Sequence, residues 1–354
     1  MQTLLEEFYK TDIIIEKFHY RKLYIDNESY QLSGITQSGK SKLVKQYLLS
    51  LKKNSYLYIN CADVRIEIDA FNNILPTYCL ENKIDTLVLD NFTPDFVFAN
   101  VSQLILVSQV DYKYDFLKSI RLYPLDYEEF LAYEHKYDST ALNHFFQLGG
   151  FAHMHKVTSD ERNIYIQNSL RLALQMQEFE ILKYCAKVMA QKVSPFSIYE
   201  RLKQTMKISK DKLYKSYDAL IQKNYIHELS KLNHPKATKK LYLCDISLKP
   251  ALSVGKNFGR LFDNMIFLEL LKHNIECYYD EGVEFYIPKN DEIIIPMPFA
   301  EERALFKKME AIEEFIFTYQ IKKVTAITMS REGGINHPLS DVEMIPFDIW
   351  ALGD

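Results

Sequence analysis

No apolar stretch in this chain approaches the roughly 18 residues that a bilayer-spanning helix needs, so no membrane span is expected. Disulfide and zinc frameworks are equally unsupported. The five cysteines (Cys61, Cys79, Cys185, Cys244, Cys277) lie far apart and form no C-x-x-C pair, which leaves them as reduced thiols in or near cores. Nine histidines are also scattered. His153 and His155 are two residues apart, hence on different sides of a helix, a poor beginning for a metal centre. Residues 1–8 hold two acidic side chains and no basic-then-apolar pattern, so no secretory signal is expected and the chain is assigned to the cytosol. The sole tryptophan, Trp350, is expected in a core and not in a ligand site. What remains is ordinary for a globular protein: 354 residues, 47 % hydrophobic and 25 % charged, enough for two or three domains. A net charge of −4 says little until its distribution is considered.

One stretch carries chemistry. Gly34-Ile35-Thr36-Gln37-Ser38-Gly39-Lys40-Ser41 fits the pattern G-x-x-x-x-G-K-[ST] at every fixed position. Two glycines let the backbone wrap a phosphate chain so that successive N–H groups point inward. The lysine reaches the β- and γ-phosphates, and the serine hydroxyl helps hold Mg²⁺. Residues 29–33 read as a short strand before the loop and residues 40–51 as the helix after it, whose amino end faces the anion. A nucleoside triphosphate, ATP with Mg²⁺, is the expected ligand.

Further strands follow. Residues 55–60 alternate, and residues 86–89 (TLVL) form a continuous apolar run, as a parallel strand covered on both faces does. Asp90 ends that run, where it can hold the water shell of the loop-bound Mg²⁺. Residues 103–108 and 119–124 complete the strand candidates of a doubly wound α/β sheet. Ser108 and Gln109 read either as a sensor of the γ-phosphate or as ordinary loop residues. One position is discordant. Hydrolysing ATPases of this kind usually have Glu after the metal-holding Asp, and here Asn91 stands there. An amide can orient water but cannot take its proton. Asp95 is the nearest substitute, and binding is expected with at most slow hydrolysis.

These residues together resemble the prokaryotic AAA-like ATPases with a C-terminal domain of uncharacterised function, relatives of the archaeal-type ATPases. The Walker A loop at 34–41 fits. So do Tyr58-Ile59-Asn60 with Ala62-Asp63-Val64-Arg65, and Leu122-Tyr123-Pro124-Leu125-Asp126-Tyr127-Glu128-Glu129-Phe130. Leu148-Gly149-Gly150-Phe151 looks like the family's glycine turn, with Ala152 in place of its proline; Asn91 departs from the family's usual Glu. Read physically, Pro124 ends a strand, Asp126 and Glu129 suit a capping box, and Gly149-Gly150 supplies positive φ at a helix end. The residue patterns, and for the last part the resemblance, lead to the expectation of an α/β fold in three parts. Residues 1–155 would be the P-loop sheet with helices on both faces, 156–250 a winged-helix module, and 251–354 a degenerate restriction-endonuclease-like domain.

The middle part is basic. Between Lys192 and Lys240 there are 12 Lys or Arg against 4 Asp or Glu. Helices are expected over 178–189, 197–205 and 209–224, then two strands at 225–229 and 240–243. Lys210, Lys212, Lys215 and Lys223 lie on or beside the third helix. They read either as contacts to a nucleic-acid backbone or as a solvated face or protein contact surface.

The resemblance also implies how the last part would cut nucleic acid, had it kept its metal ligands. Glu269 stands at the position of the helical carboxylate and Glu284 at that of the strand carboxylate. The next strand, 293–299, has neither member of the Glu-x-Lys pair, and its two prolines suit only an edge or a strand end. An inactive domain kept for structure or binding is expected. A helix over 301–317, a buried strand over 323–329 and a hydrophobic closing segment over 345–350 complete it. Three functions fit these features: a nucleotide switch with slow ATPase activity, a non-hydrolysing ATP-dependent scaffold with an unidentified protein partner, or a DNA-binding regulator.

Overall fold

A computed structural model describes residues 1–15, 20–137, 139–255, 257–299 and 301–353. Residues divide into two compact units, Met1–Pro124 with Gln222–Asn224, and the rest from Leu125 onward. In the first, α1 (Gln2–Lys10) precedes β1 (Tyr30–Ser33), α2 (Lys40–Leu48), β2 (Tyr56–Asn60), α3 (Ile68–Glu81), β3 (Thr86–Asp90), β4 (Gln103–Val107) and β5 (Lys118–Arg121).

These five strands form one parallel sheet in the order β2-β3-β4-β1-β5. Every residue of β3 and β4 is buried. That is the physical meaning of their unbroken apolar runs: helices cover both faces, so no polar alternation is required. Leu32, Val88, Ile105 and Val107 join Leu43, Val44 and Leu48 of α2 in one core. Leu87, Leu89, Leu104 and Leu106 join Phe71 and Leu75 of α3 and Leu5 of α1 in the other. From β1 the chain leaves for β2 at one side of the sheet, and from β4 it passes β1 to reach β5. Beside β1 the winding therefore reverses, which opens a crevice at the strands' carboxyl ends.

The second unit opens with α4 (Tyr127–Glu134), α5 (Ser139–Leu148), α6 (Arg162–Ala173) and α7 (Met176–Lys187). Asp126 and Glu129 form the expected capping box on α4, with Glu129 N–H donating to Asp126 Oδ1 at 2.8 Å. Of the two glycines only Gly149 takes positive φ, at 67°. Gly150 instead donates its N–H to Asp245 Oδ2 at 2.7 Å. Next come β6 (Gln191–Lys192), α8 (Pro195–Leu202), α9 (Lys210–Gln222), β7 (Ile226–Leu229) and β8 (Lys240–Leu243), with β6-β8-β7 a small antiparallel sheet. Helix α8 starts before residue 197 because Pro195 sits at its first position behind the Ser194 cap.

The remaining elements are α10 (Leu248–Leu252), α11 (Phe258–Lys272), β9 (Tyr278–Asp280), β10 (Val283–Ile287), β11 (Glu292–Pro296), α12 (Glu302–Tyr319), β12 (Lys323–Thr328), β13 (Gly333–Ile335), β14 (Asp341–Pro346) and α13 (Phe347–Leu352). Strands β13-β14-β12-β11-β10-β9 make a mixed sheet, against which α12 buries Leu305, Met309, Ile312 and Ile316. β11 is an interior strand, and Pro296 is its last residue, so the second of the two placements open to that proline holds. Trp350 is a correction to expectation. It is only partly buried, because α13 turns Phe347 and Ala351, one helical turn apart, into the core.

Among the described residues, no helix is long and apolar enough to cross a membrane.

Candidate functional site

The loop after β1 rests on backbone that few side chains allow. Gly34 has φ 149°, Gln37 69° and Gly39 95°. A Cβ on Gly34 would stand 2.3 Å from the Leu122 carbonyl oxygen, because the end of β1 passes this close to the chain leaving β5. The loop then becomes α2 at Lys40. Its N-cap, Gly39, has no side chain to satisfy the first-turn amides, and an anion does that work well.

Lys40 Nζ donates to the carbonyls of Gly34 and Ile35, both at 2.7 Å, so the ammonium lies within the loop. Burial lowers its pKa to about 8, opposed by the negative charge of Asp90, and it stays mostly protonated at neutral pH. Ser38 Oγ closes the loop by donating to the Ile35 carbonyl at 3.0 Å.

Asp90 is buried at the end of β3, as the sequence pattern suggests. The Tyr58 hydroxyl donates to its Oδ2 at 2.5 Å and also meets the Ser41 hydroxyl. Burial and the Asp90 charge raise the Tyr58 pKa far out of the physiological range, so the phenol keeps its proton. Lys40, Ser41, Tyr58 and Asp90 thus converge at the carboxyl edge of the sheet. Lys45 Nζ lies 4.8 Å over the Tyr58 ring and adds positive charge nearby.

Asn91 has a structural occupation. Its φ is 58°, a left-handed conformation that asparagine tolerates better than glutamate does. Its Nδ2 donates to Asn60 Oδ1 at 2.8 Å, tying the ends of β2 and β3 together. Asp95 accepts from Thr93 Oγ1 at 3.1 Å and is exposed. Of the sensor candidates, Gln109 reaches the loop, its Nε2 donating to Thr36 Oγ1 at 2.9 Å. Ser108 turns away to the Val110 carbonyl. Arg21 is a participant that sequence reasoning missed. It donates to the carbonyls of Ser38 (2.8 Å) and Tyr123 (2.7 Å), buttressing the loop from outside. No local pattern could reveal it, since those partners lie 17 and 102 residues away.

On and beside α9, Lys207, Lys210, Lys212 and Lys215 are exposed and Lys223 is partly buried. Lys203 and Lys239 are paired, with Glu200 (2.5 Å) and Glu228 (2.6 Å). The two carboxylates of the implied nuclease site have separate neighbours. Glu284 pairs with Lys308 at 2.6 Å and stands near Asp263. Glu269 Oε1 instead accepts from the Tyr127 N–H at 3.2 Å.

Burial raises the Asp263 pKa to about 6, and the Glu284 charge adds to the rise; Lys240, Lys308 and a Tyr242 hydroxyl bond (3.0 Å) oppose it. Its folded value therefore lies above the usual 3.8. The folded state keeps that proton longer than the unfolded chain, so stability falls as pH rises from about 4 through 6. Asp263→Asn is expected to raise the melting temperature by about 2–5 °C at pH 7.5, the gain shrinking towards pH 4. A gain that does not vary with pH in thermal melts would contradict this.

No protein-family model matches the chain. An uncharacterised protein of Methanocaldococcus jannaschii is 22 % identical over an alignment of 403 residues, covering 93 % of this chain and 89 % of that protein. The Walker-type ATPase of Pyrococcus abyssi aligns with 64 % of this chain and 91 % of its own, at 12 % identity and a TM-score of 0.41. The ORC1 protein of Aeropyrum pernix, in a structure with DNA, aligns with 64 % of this chain and 86 % of its own, at 12 % identity and a TM-score of 0.33. Likenesses this distant do not say what this chain binds. The class rests on the chain's own features: an α/β protein whose five-stranded parallel sheet carries a G-x-x-x-x-G-K-[ST] loop after the interior strand β1.

Proposed function

We propose that the chain binds ATP with Mg²⁺ at residues 34–41 and acts as a nucleotide switch with slow turnover. Lys40 would hold the β- and γ-phosphates. The amides of Ile35, Thr36, Gln37, Ser38 and Gly39 would wrap the phosphate chain, and Ser41 and Asp90 would orient Mg²⁺ and its water. The observation that supports this best is the convergence of the Lys40 ammonium with the Ser41, Tyr58 and Asp90 side chains beside an uncapped helix start. Mg²⁺ supplies charge neutralisation of the phosphates, and the protein's part is to position it. Asn91 leaves the attacking water without a neighbouring base, which supports a switch over a fast hydrolase. A titration of the full chain with Mg-ATP, wild type against Lys40→Ala, tests the reading.

A second reading, contact with a nucleic-acid backbone, is favoured by the exposed lysines that lead into and line α9. Retention on duplex DNA should then weaken steeply with salt. The double variant Lys212→Ala/Lys215→Ala should lower the slope of log affinity against log salt by about 2. No retention at low salt, or an unaltered slope, would remove this reading.

A further inference from the structure

Three side chains from α4 and α11 of the second unit meet. Glu269 and His273 are four residues apart at the end of α11 and so share a face. Asp126 is the N-cap of α4. One ligand atom of each lies within 4.8 Å of the other two, with His273 Nε2 3.8 Å from Asp126 Oδ2. Asp126 Oδ1 is engaged by the Glu129 N–H, and Glu269 Oε1 by the Tyr127 N–H.

Glu269 Oε2 is different. It is buried without a hydrogen-bond partner, in a residue only 1 % exposed. The adjacent Lys272 gives its ammonium to the Leu125 carbonyl at 2.8 Å. A carboxylate oxygen so placed costs free energy unless a proton or a bound cation neutralises it.

We propose that Asp126, Glu269 and His273 form a binding site for a divalent first-row transition ion of the zinc class. One imidazole and two carboxylates suit such an ion, whereas Mg²⁺ and Ca²⁺ prefer oxygen alone. Around zinc the ligand atoms stand about 3.3 Å apart. The cluster reaches that spacing by closing at most about 1.5 Å, for which the His273 side chain, 36 % exposed, has room. Three protein ligands leave a position for water. The ion would tie the start of α4 to the end of α11. This proposal is independent of the nucleotide reading, and it gives Glu269 partners other than the nuclease ligands that the resemblance implies.

The test is calorimetric titration of the chelator-treated, nucleotide-free full chain with Zn²⁺, and an absorption titration with Co²⁺. One equivalent should bind, with a Co²⁺ d–d band and no thiolate charge-transfer band. His273→Ala, whose side chain is partly exposed, should weaken binding by about 100-fold while leaving the circular dichroism spectrum unchanged. Glu269→Gln should do the same if it folds, and Ser41→Ala should have no effect. Failure of the wild type to bind, unchanged affinity in folded His273→Ala, or a thiolate signature from the cysteines would overturn the proposal.

Discussion

Lys40→Ala is expected to weaken Mg-ATP binding by about 100-fold or more, measured by calorimetry on the full chain. The reasoning is electrostatic. In the folded chain the ammonium already sits inside the loop, 2.7 Å from two carbonyls, so little reorganisation is needed when phosphate oxygens replace them. Each charge-assisted bond lost to alanine is worth about 1.5–3 kcal/mol, and two such bonds exceed a factor of about 100. Thermal stability without nucleotide should change little, because the lost carbonyl bonds are offset by no longer burying a charge. Wild-type turnover, followed by phosphate release, should fall well below about 10 s⁻¹, the middle of the enzyme range. Unchanged ATP affinity in the variant would end the nucleotide reading.

Gly149→Ala is expected to be the most damaging small substitution outside the loop. At φ +67° a Cβ would come 2.1 Å from Asp245 Oδ1 and 3.0 Å from both the Asp245 Cγ and the Ser247 Cβ. Asp245 cannot simply swing aside. Its two oxygens accept from the Gly150 N–H (2.7 Å), the Ser247 N–H (2.9 Å) and the Ser247 hydroxyl (2.5 Å), and the residue is 1 % exposed. Backbone strain of about 1–3 kcal/mol adds to the disruption of a buried carboxylate network, of similar size. The melting temperature should therefore fall by about 10 °C. Combined with Asp245→Ala, the glycine substitution should cost measurably less than alone, since the two share one contact. Additive losses in that cycle would show the clash is not the cause.

Both predictions start from residues legible in the chain and depend on partners that were not. The loop, the buried strands β3 and β4, the Asp126–Glu129 cap and a glycine at the end of α5 follow from patterns confined to a few neighbouring residues. Such signals are local because turn geometry, capping and face-by-face burial are local. Arg21, Tyr58 as the partner of Asp90, and Asp245 against Gly150 join positions 17 to 102 residues apart, for which spacing carries no signal. Asn91 shows the opposite case. Its residue type reads as a missing base, whereas its backbone angle and its bond to Asn60 explain why an asparagine serves there.

From the chain alone came the α/β pattern, the phosphate-loop residues and the acidic residue at the end of β3, since each depends on residue type at fixed short intervals. The tertiary structure decided what surrounds them: which carbonyls hold Lys40, which hydroxyl meets Asp90, and that Glu269 lies with Asp126 and His273. Those neighbours arise only when separate strands and helices close on one another, and burial then sets which charges must find a partner.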